Sequence, residues 1–164
     1  MTDAAQPVDR PIIFSGPMVQ ALLAGRKTMT RRLATSPLRK CQPGDRLWVR
    51  ESFSSSDPGP VYRADHGDEA TGWGWTPSIH MPRKHSRLTL IVNAVKFERL
   101  QDINGLDALA EGITREEGVS PWRTFLRLCN SLHGEGAWQA NPEIVALSFT
   151  VIRSNIDAVG YEVA

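Results

Sequence analysis

The sequence predicts an α+β domain in which a small mixed or antiparallel sheet curls into a barrel, with helices over its openings. Runs of strand character follow one another mostly without intervening helices, which disfavours a doubly wound parallel sheet. No glycine-rich phosphate loop or dinucleotide fingerprint opens any helix, which argues against nucleoside triphosphate hydrolysis. The 164 residues are the size of one ordinary domain, long enough to bury a core without staples.

The elements follow in order. Residues 1–10 are polar and read as a flexible tail, and 11–164 as a single domain. Pro11 to Phe14 is a short strand, and Ser15 can cap a helix from Pro17 to Ala24 that Gly25 ends. Thr28 to Leu33 is β-branched and alternating, hence a strand. After the Pro43-Gly44 turn, Arg46 to Glu51 alternates with Leu47 and Val49 on one face. Ser52 to Pro60 is a loop by composition, Val61 to Ala64 a brief strand, and Asp65 to Arg87 breaks periodicity. Leu88 to Leu100 alternates long enough to cross the sheet. Asn104 caps a helix that Gly112 stops, and Ser120-Pro121 opens another carrying Trp122, Phe125, Leu126, Cys129 and Leu132 at helical spacing. Gly134 to Ala137 is a loop, Asn141-Pro142 a turn, and Ile144 to Ile152 the closing strand.

Composition bounds the function. A net charge of +1 argues against coating nucleic acid through bulk charge. From Arg26 to Arg50, however, eight basic residues face the single acid Asp45, a segment that can meet phosphate. Cys41 and Cys129 stand far apart, and His66, His80, His85 and His133 lack ligand spacing, so no metal site is assigned. No run approaches the roughly 20 apolar residues of a membrane span, and no signal peptide is seen, so a soluble, cytoplasmic protein is expected.

Lys27 and Thr30 form a candidate nucleophile pair. A threonine hydroxyl is weak until a neighbour takes its proton, and a lysine does so only when burial or nearby cations lower its pKa toward neutrality. Residues three apart point to opposite faces of a straight strand, so the pair converges only if the chain bends after Gly25. The same string also reads as a solvated basic turn. Glu111, embedded in Ala108 to Ile113 among small and apolar residues, is the acid best suited to partner the lysine, and otherwise an exposed helix-end carboxylate. Glu51 and Glu98 are weaker candidates. Trp73 and Trp75 can offer a stacking platform or simply pack. Arg83, Lys84 and Arg87 can meet phosphates or solvent.

The string Leu23 to Arg32, with Gly25, Lys27, Thr28, Thr30 and Arg32 in register, resembles the signature of the ASCH family of PUA-like barrels. Pro43 to Val49, Val92 to Asp102 and Ile144 to Phe149 fit the family in the same order. Among its members the string is most similar to the branch that removes the acyl group from N(4)-acetylcytidine. That resemblance implies a cofactor-independent amidohydrolase with Lys27, Thr30 and Glu111 as the catalytic set. Arg26, Thr28, Arg32 and Trp75 are then the expected substrate contacts, and a nucleoside the expected partner. Many other members carry an acid where Thr30 stands. Two features depart from the pattern: Arg31 replaces an apolar residue, and insertions fall at about 52–87 and 117–141, as in long forms common in phages and prophages. A lysine-activated water in place of the threonine, a non-catalytic RNA-binding module and a single-strand RNA nuclease stand as alternatives. The sequence leaves the oligomeric state open.

Overall fold

A computed structural model of the chain describes residues 6–66, 74–114 and 116–160. Strands β1 (Asp9–Ile13), β2 (Met29–Leu33), β3 (Arg46–Arg50), β6 (Thr89–Arg99) and β7 (Glu143–Ile152) make one sheet in the order β1-β3-β6-β7-β2. β1 runs parallel to β3 and the other neighbours are antiparallel. The short strands β4 (Phe53–Ser54), inside the expected loop, and β5 (Val61–Tyr62), where a brief strand is expected, pair separately. Helices α1 (Gly16–Leu23), α2 (Gly105–Ala110), α3 (Pro121–His133) and α4 (Ala137–Ala140) complete the architecture.

Alternation along β7 divides the interior in two. Val145, Leu147 and Phe149 point into a core with Phe14, Val19, Leu22, Val49 and Leu90. Ile144 and Ala146 point the other way, into a second core with Ala108, Phe125 and Cys129 from α2 and α3. The sheet therefore carries α1 on one side and the α2–α3 pair on the other.

Two expectations change. β1 starts at Asp9 rather than Pro11, because polar side chains anchor it. Arg10 Nη1 lies 2.6 Å from Asp45 Oδ2, and Asp9 receives both Arg46 Nε (2.8 Å) and Arg46 Nη2 (2.9 Å). The last two residues of the expected tail thus belong to the sheet. The sheet also does not close into a barrel through a backbone ladder: β1 and β2 are its two edges. The chain leaves β1 at Phe14 to enter α1, so no strand backbone remains there to meet β2. A side chain bridges the gap instead, with Arg32 Nη2 donating to the Ile13 carbonyl at 2.7 Å.

The Asp9 anchor has a pH signature. The Arg46 guanidinium, with help from Arg83 and against partial burial, holds the Asp9 carboxyl below the usual carboxylate range. A depressed carboxylate contributes stability above its unfolded pKa and loses it as pH falls through the folded one. Asp9→Asn is expected to cost about 2 kcal/mol at neutral pH. In urea unfolding followed from pH 7 to pH 3, the gap between parent and variant should narrow only at the acid end.

Candidate active site

Helix α1 stops at Ala24, and Gly25 turns the chain with φ +79°. The amides of Arg26 and Lys27 both reach back to the Ala21 carbonyl, so Lys27 is fixed by the helix end before β2 begins at Met29. This removes the objection raised by strand alternation. Lys27 is an isolated bridge partner of Glu111, not a residue of β2. The Thr28 amide donates to the Ala110 carbonyl at 2.8 Å and its carbonyl accepts from Phe149 at 3.0 Å, splicing α2 and β7 to the junction.

Lys27 is 2% exposed and Glu111 4%. Lys27 Nζ donates to Glu111 Oε2 at 3.0 Å and to the carbonyls of Glu111 and Met29, both at 2.9 Å. Its three ammonium hydrogens are thereby used. The Phe14 ring lies 5.5 Å from Nζ. Burial pushes the Lys27 ammonium below its ordinary alkaline value; Glu111 opposes the fall, and the Arg32 and Arg31 cations add to it.

Glu111 can come this close only because a glycine follows it. Gly112 has φ +93°, and a Cβ there would stand 2.8 Å from Lys27 Cβ and 2.9 Å from Ala21 Cβ. The expected acid is thus held against the expected base by a position that excludes every side chain.

The sequence reading counts Arg31 among the cations that could lower the lysine's pKa or grip phosphate, but not as a partner of carboxylates. Its side chain is 2% exposed and joins three carboxylates: Glu111 Oε1 at 3.1 Å, Glu98 Oε1 at 2.7 Å and Asp107 Oδ2 at 3.0 Å. Register pairs Arg31 with Ala146 but Thr30 with Leu147 and Arg32 with Val145, so Arg31 lies on the α2–α3 face and its neighbours on the other. Glu111 therefore receives cations from both faces of β2. A signal was available, since Asp107 and Glu111 stand four residues apart at the end of one short helix.

Lys27, Thr30, Arg31, Arg32 and Glu111 all line one cavity of about 800 Å³. Thr30 is 3% exposed, and among the described residues no hydrogen bond is seen to its hydroxyl. No hydrogen bond joins Lys27 to Thr30 either. On either side of β2, the Thr28 carbonyl accepts from the Phe149 N–H and the Ala34 N–H donates to the Glu143 carbonyl, so these groups face β7. Alternation accordingly turns the Met29, Arg31 and Leu33 peptides to the open edge, as the Met29 carbonyl contact with Lys27 requires. The Arg31 N–H is thus a backbone donor at the cavity.

The expected substrate contacts divide. Arg32 lies 5.0 Å over the Phe14 ring at the cavity. Arg26 is exposed, donates to the Gly112 carbonyl at 2.9 Å and, like Thr28, is not among the lining residues. Trp75 stacks on His66 at 6.0 Å, also away from the lining, and Trp73 falls outside the described residues. Arg83 pairs with Asp9 and Asp157, and Arg87 with Glu51 and Asp65. Cys129 lines the cavity, but burial, assisted by the Glu111 charge, pushes its thiol up to about 12, which keeps it protonated. Among the described residues, no group of three or more His, Cys, Asp or Glu could hold a metal ion, and no helix is long and apolar enough to cross a membrane.

No family model and no curated protein matches the sequence. Among solved structures, the chain is similar to hypothetical protein PH0355, at 12% identity and TM-score 0.53 over 88% of this chain and 100% of that one. It is also similar to protein EF3133 from Enterococcus faecalis V583, of the DUF984 family, at 13% identity and TM-score 0.50 over 94% and 82%. An ASCH domain from Lactobacillus crispatus JV V101 aligns at 15% identity and TM-score 0.45 over 88% and 79%. The first two likenesses show the fold.

Two substitutions probe this construction. Gly112→Ala should destabilise by about 2–4 kcal/mol, from left-handed backbone strain and overpacking against Lys27. Thermal unfolding would measure it, and a neutral result would contradict the close approach. Arg31→Leu leaves Glu98, Asp107 and Glu111 without their shared cation, an expected loss of about 3–5 kcal/mol at pH 7. Against partial burial, Lys96 and Arg31 hold the Asp107 carboxyl below the usual carboxylate range, so the part of the deficit that comes from Asp107 should shrink as pH falls through that range.

Proposed function

We propose that the protein is an amidohydrolase that removes the acyl group from N(4)-acylated cytosine nucleosides, N(4)-acetylcytidine among them. The observation that carries the reading is the buried Lys27–Glu111 pair, opening on the same cavity as an unengaged Thr30 hydroxyl. A buried lysine tied to a carboxylate can share one proton between two atoms 3.0 Å apart. Transfer from Nζ to Oε2 leaves two neutral groups, a lysine with a lone pair and a carboxylic acid.

In this scheme the neutral Lys27 accepts the Thr30 hydroxyl proton as Oγ1 attacks the exocyclic amide carbon. The carbonyl π electrons move to oxygen, and the backbone N–H of Arg31 at the open edge is assigned as the donor to that oxyanion. Collapse breaks the C–N bond, and the proton held on Glu111 goes to the departing amine of cytidine. Water then hydrolyses the threonine ester, with Lys27 again as base, and releases the carboxylic acid. Attack by a Lys27-activated water omits the ester and otherwise uses the same groups. Because Nζ spends its hydrogens on three oxygens in the free protein, either route requires one of those contacts to yield when substrate enters, as catalytic hydrogen bonds often do.

RNA binding draws less support from the same residues. Arg31 and Arg32 are turned inward, onto carboxylates and onto Ile13 and Phe14, and Arg83 and Arg87 are held in ion pairs. A phosphate-gripping surface would leave such cations available.

The test is cytidine release from N(4)-acetylcytidine, followed chromatographically. Lys27→Met and Thr30→Ala are expected to lower kcat by about 10²–10⁴-fold. Failure of the parent to release cytidine would end the proposal, and a fully active Thr30→Ala with a dead Lys27→Met would select the water route. Steep loss of RNA affinity with salt, without turnover, would favour the binding module. The pH profile offers a separate check. kcat/KM should fall as pH rises through one ionisation below the ordinary lysine value, where the singly protonated pair loses its proton, and Glu111→Gln should move that ionisation to still lower pH, because the anion that raises it is gone.

A further inference from the structure

The cavity has two unlike halves. On the Phe14 side of β2 stand the ring itself, the Arg32 guanidinium, Ser15, Lys27 and Thr30. On the other side, α3 presents Phe125, Leu128, Cys129 and Leu132, spaced as one helical face, and α4 adds the small residues Ala137 and Ala140. Phe125, Cys129 and Leu132 belong to the apolar stripe that helical spacing marks in the sequence, and such a stripe is ordinarily core. Only part of it is: Phe125 and Cys129 are buried, whereas Leu132 is 55% exposed on the cavity wall.

We infer that the α3–α4 wall is a binding subsite for an unbranched acyl chain of several carbons, so that the preferred substrates carry acyl groups longer than acetyl. This rests on the amidohydrolase reading. Chemistry decides which part of the substrate goes where. A cytosine ring and a ribose carry polar groups on several edges, and each one left unpaired on an apolar surface costs free energy. Apart from His133 at its end, the α3–α4 wall offers no polar side chain to meet them. The Phe14 half supplies an aromatic face, a guanidinium and hydroxyls. An aliphatic chain needs no polar partner and gains from every methylene it buries. With the nucleoside on the Phe14 side and the carbonyl carbon at Thr30, the acyl tail is the part left to occupy the trough. Alanines at 137 and 140 keep that trough open, where larger side chains would fill it.

N(4)-alkylcytidines from ethyl to hexyl keep the nucleoside and the chain but lack the scissile carbonyl, so they report on binding alone. Calorimetric titration of the full-length protein should give a Kd that tightens by about fourfold per added methylene, the gain from burying one CH2 group. Leu132→Glu and Ala140→Trp, both at exposed positions, should reduce the gain to less than about twofold per methylene. Ethyl and hexyl binding alike, or a length dependence that neither variant alters, would overturn the subsite. Turnover of N(4)-acetylcytidine, assayed in parallel, separates the two ideas. Turnover without length dependence removes the trough and keeps the hydrolase. Length dependence without turnover keeps the trough and removes the hydrolase. No binding and no turnover removes both.

Discussion

Moving an ammonium or a carboxylate out of water costs several kcal/mol per ion unless geometry and hydrogen bonds compensate. Lys27 and Glu111 are both almost wholly buried, and the structure around them meets that requirement atom by atom. Three oxygens receive the ammonium hydrogens, and Glu111 spends one carboxylate oxygen on Lys27 and the other on Arg31. The end of α1, the end of α2 and the start of β2 are positioned by this one contact. Gly112 allows the approach, the Thr28 peptide ties it to β7, and Gly25 supplies the turn that delivers Lys27.

The same contact explains the use of charge. The basic segment behind α1 suggests a surface for phosphate when its residues are counted along the chain. In three dimensions the segment divides: Arg26, Arg39 and Lys40 stay exposed, while Arg31 and Arg32 are used internally. Arg31 balances Glu98, Asp107 and Glu111, Lys96 adds a second cation to Asp107 at 2.9 Å, and Arg32 ties the two sheet edges together while covering Phe14.

Much of the fold was legible because local signals agreed with the global answer. Strand periodicity marked β2, β3, β6 and β7, and capping and stop residues marked α1, α2 and α3 to within a residue or two. The proximity of Lys27 and Glu111, 84 positions apart, was legible only through the family string and the apolar setting of Glu111. What escaped depends on contacts that sequence spacing does not carry. Arg31 registers as a departure from a pattern, and its three carboxylates come from β6 and α2 and meet only in the folded chain. The apolar stripe of α3 has the same period whether it faces a core or a cavity. The barrel expectation follows from strands that succeed one another mostly without intervening helices, while a closing ladder depends on whether the two edge strands reach one another, and here an arginine side chain spans them. Trp75 was selected for its ring chemistry, which says nothing about where its loop goes.

An unpaired strand edge is ordinarily a liability, since its free peptide groups can template pairing with another chain. β2 is such an edge, and its outward peptides at Met29, Arg31 and Leu33 require partners or cover. Met29 gives its carbonyl to Lys27, and α3 and α4 stand across the cavity from the remainder. The arrangement shields the edge from other strands while leaving a space of ligand size beside it. Peptide donors on that edge are rigid, since β2 is fixed by its ladder to β7, and they face a largely apolar enclosure where a hydrogen bond to developing charge is stronger than in water. Cover for the β2 edge and a cavity beside it thus follow from a single placement of the α3–α4 segment.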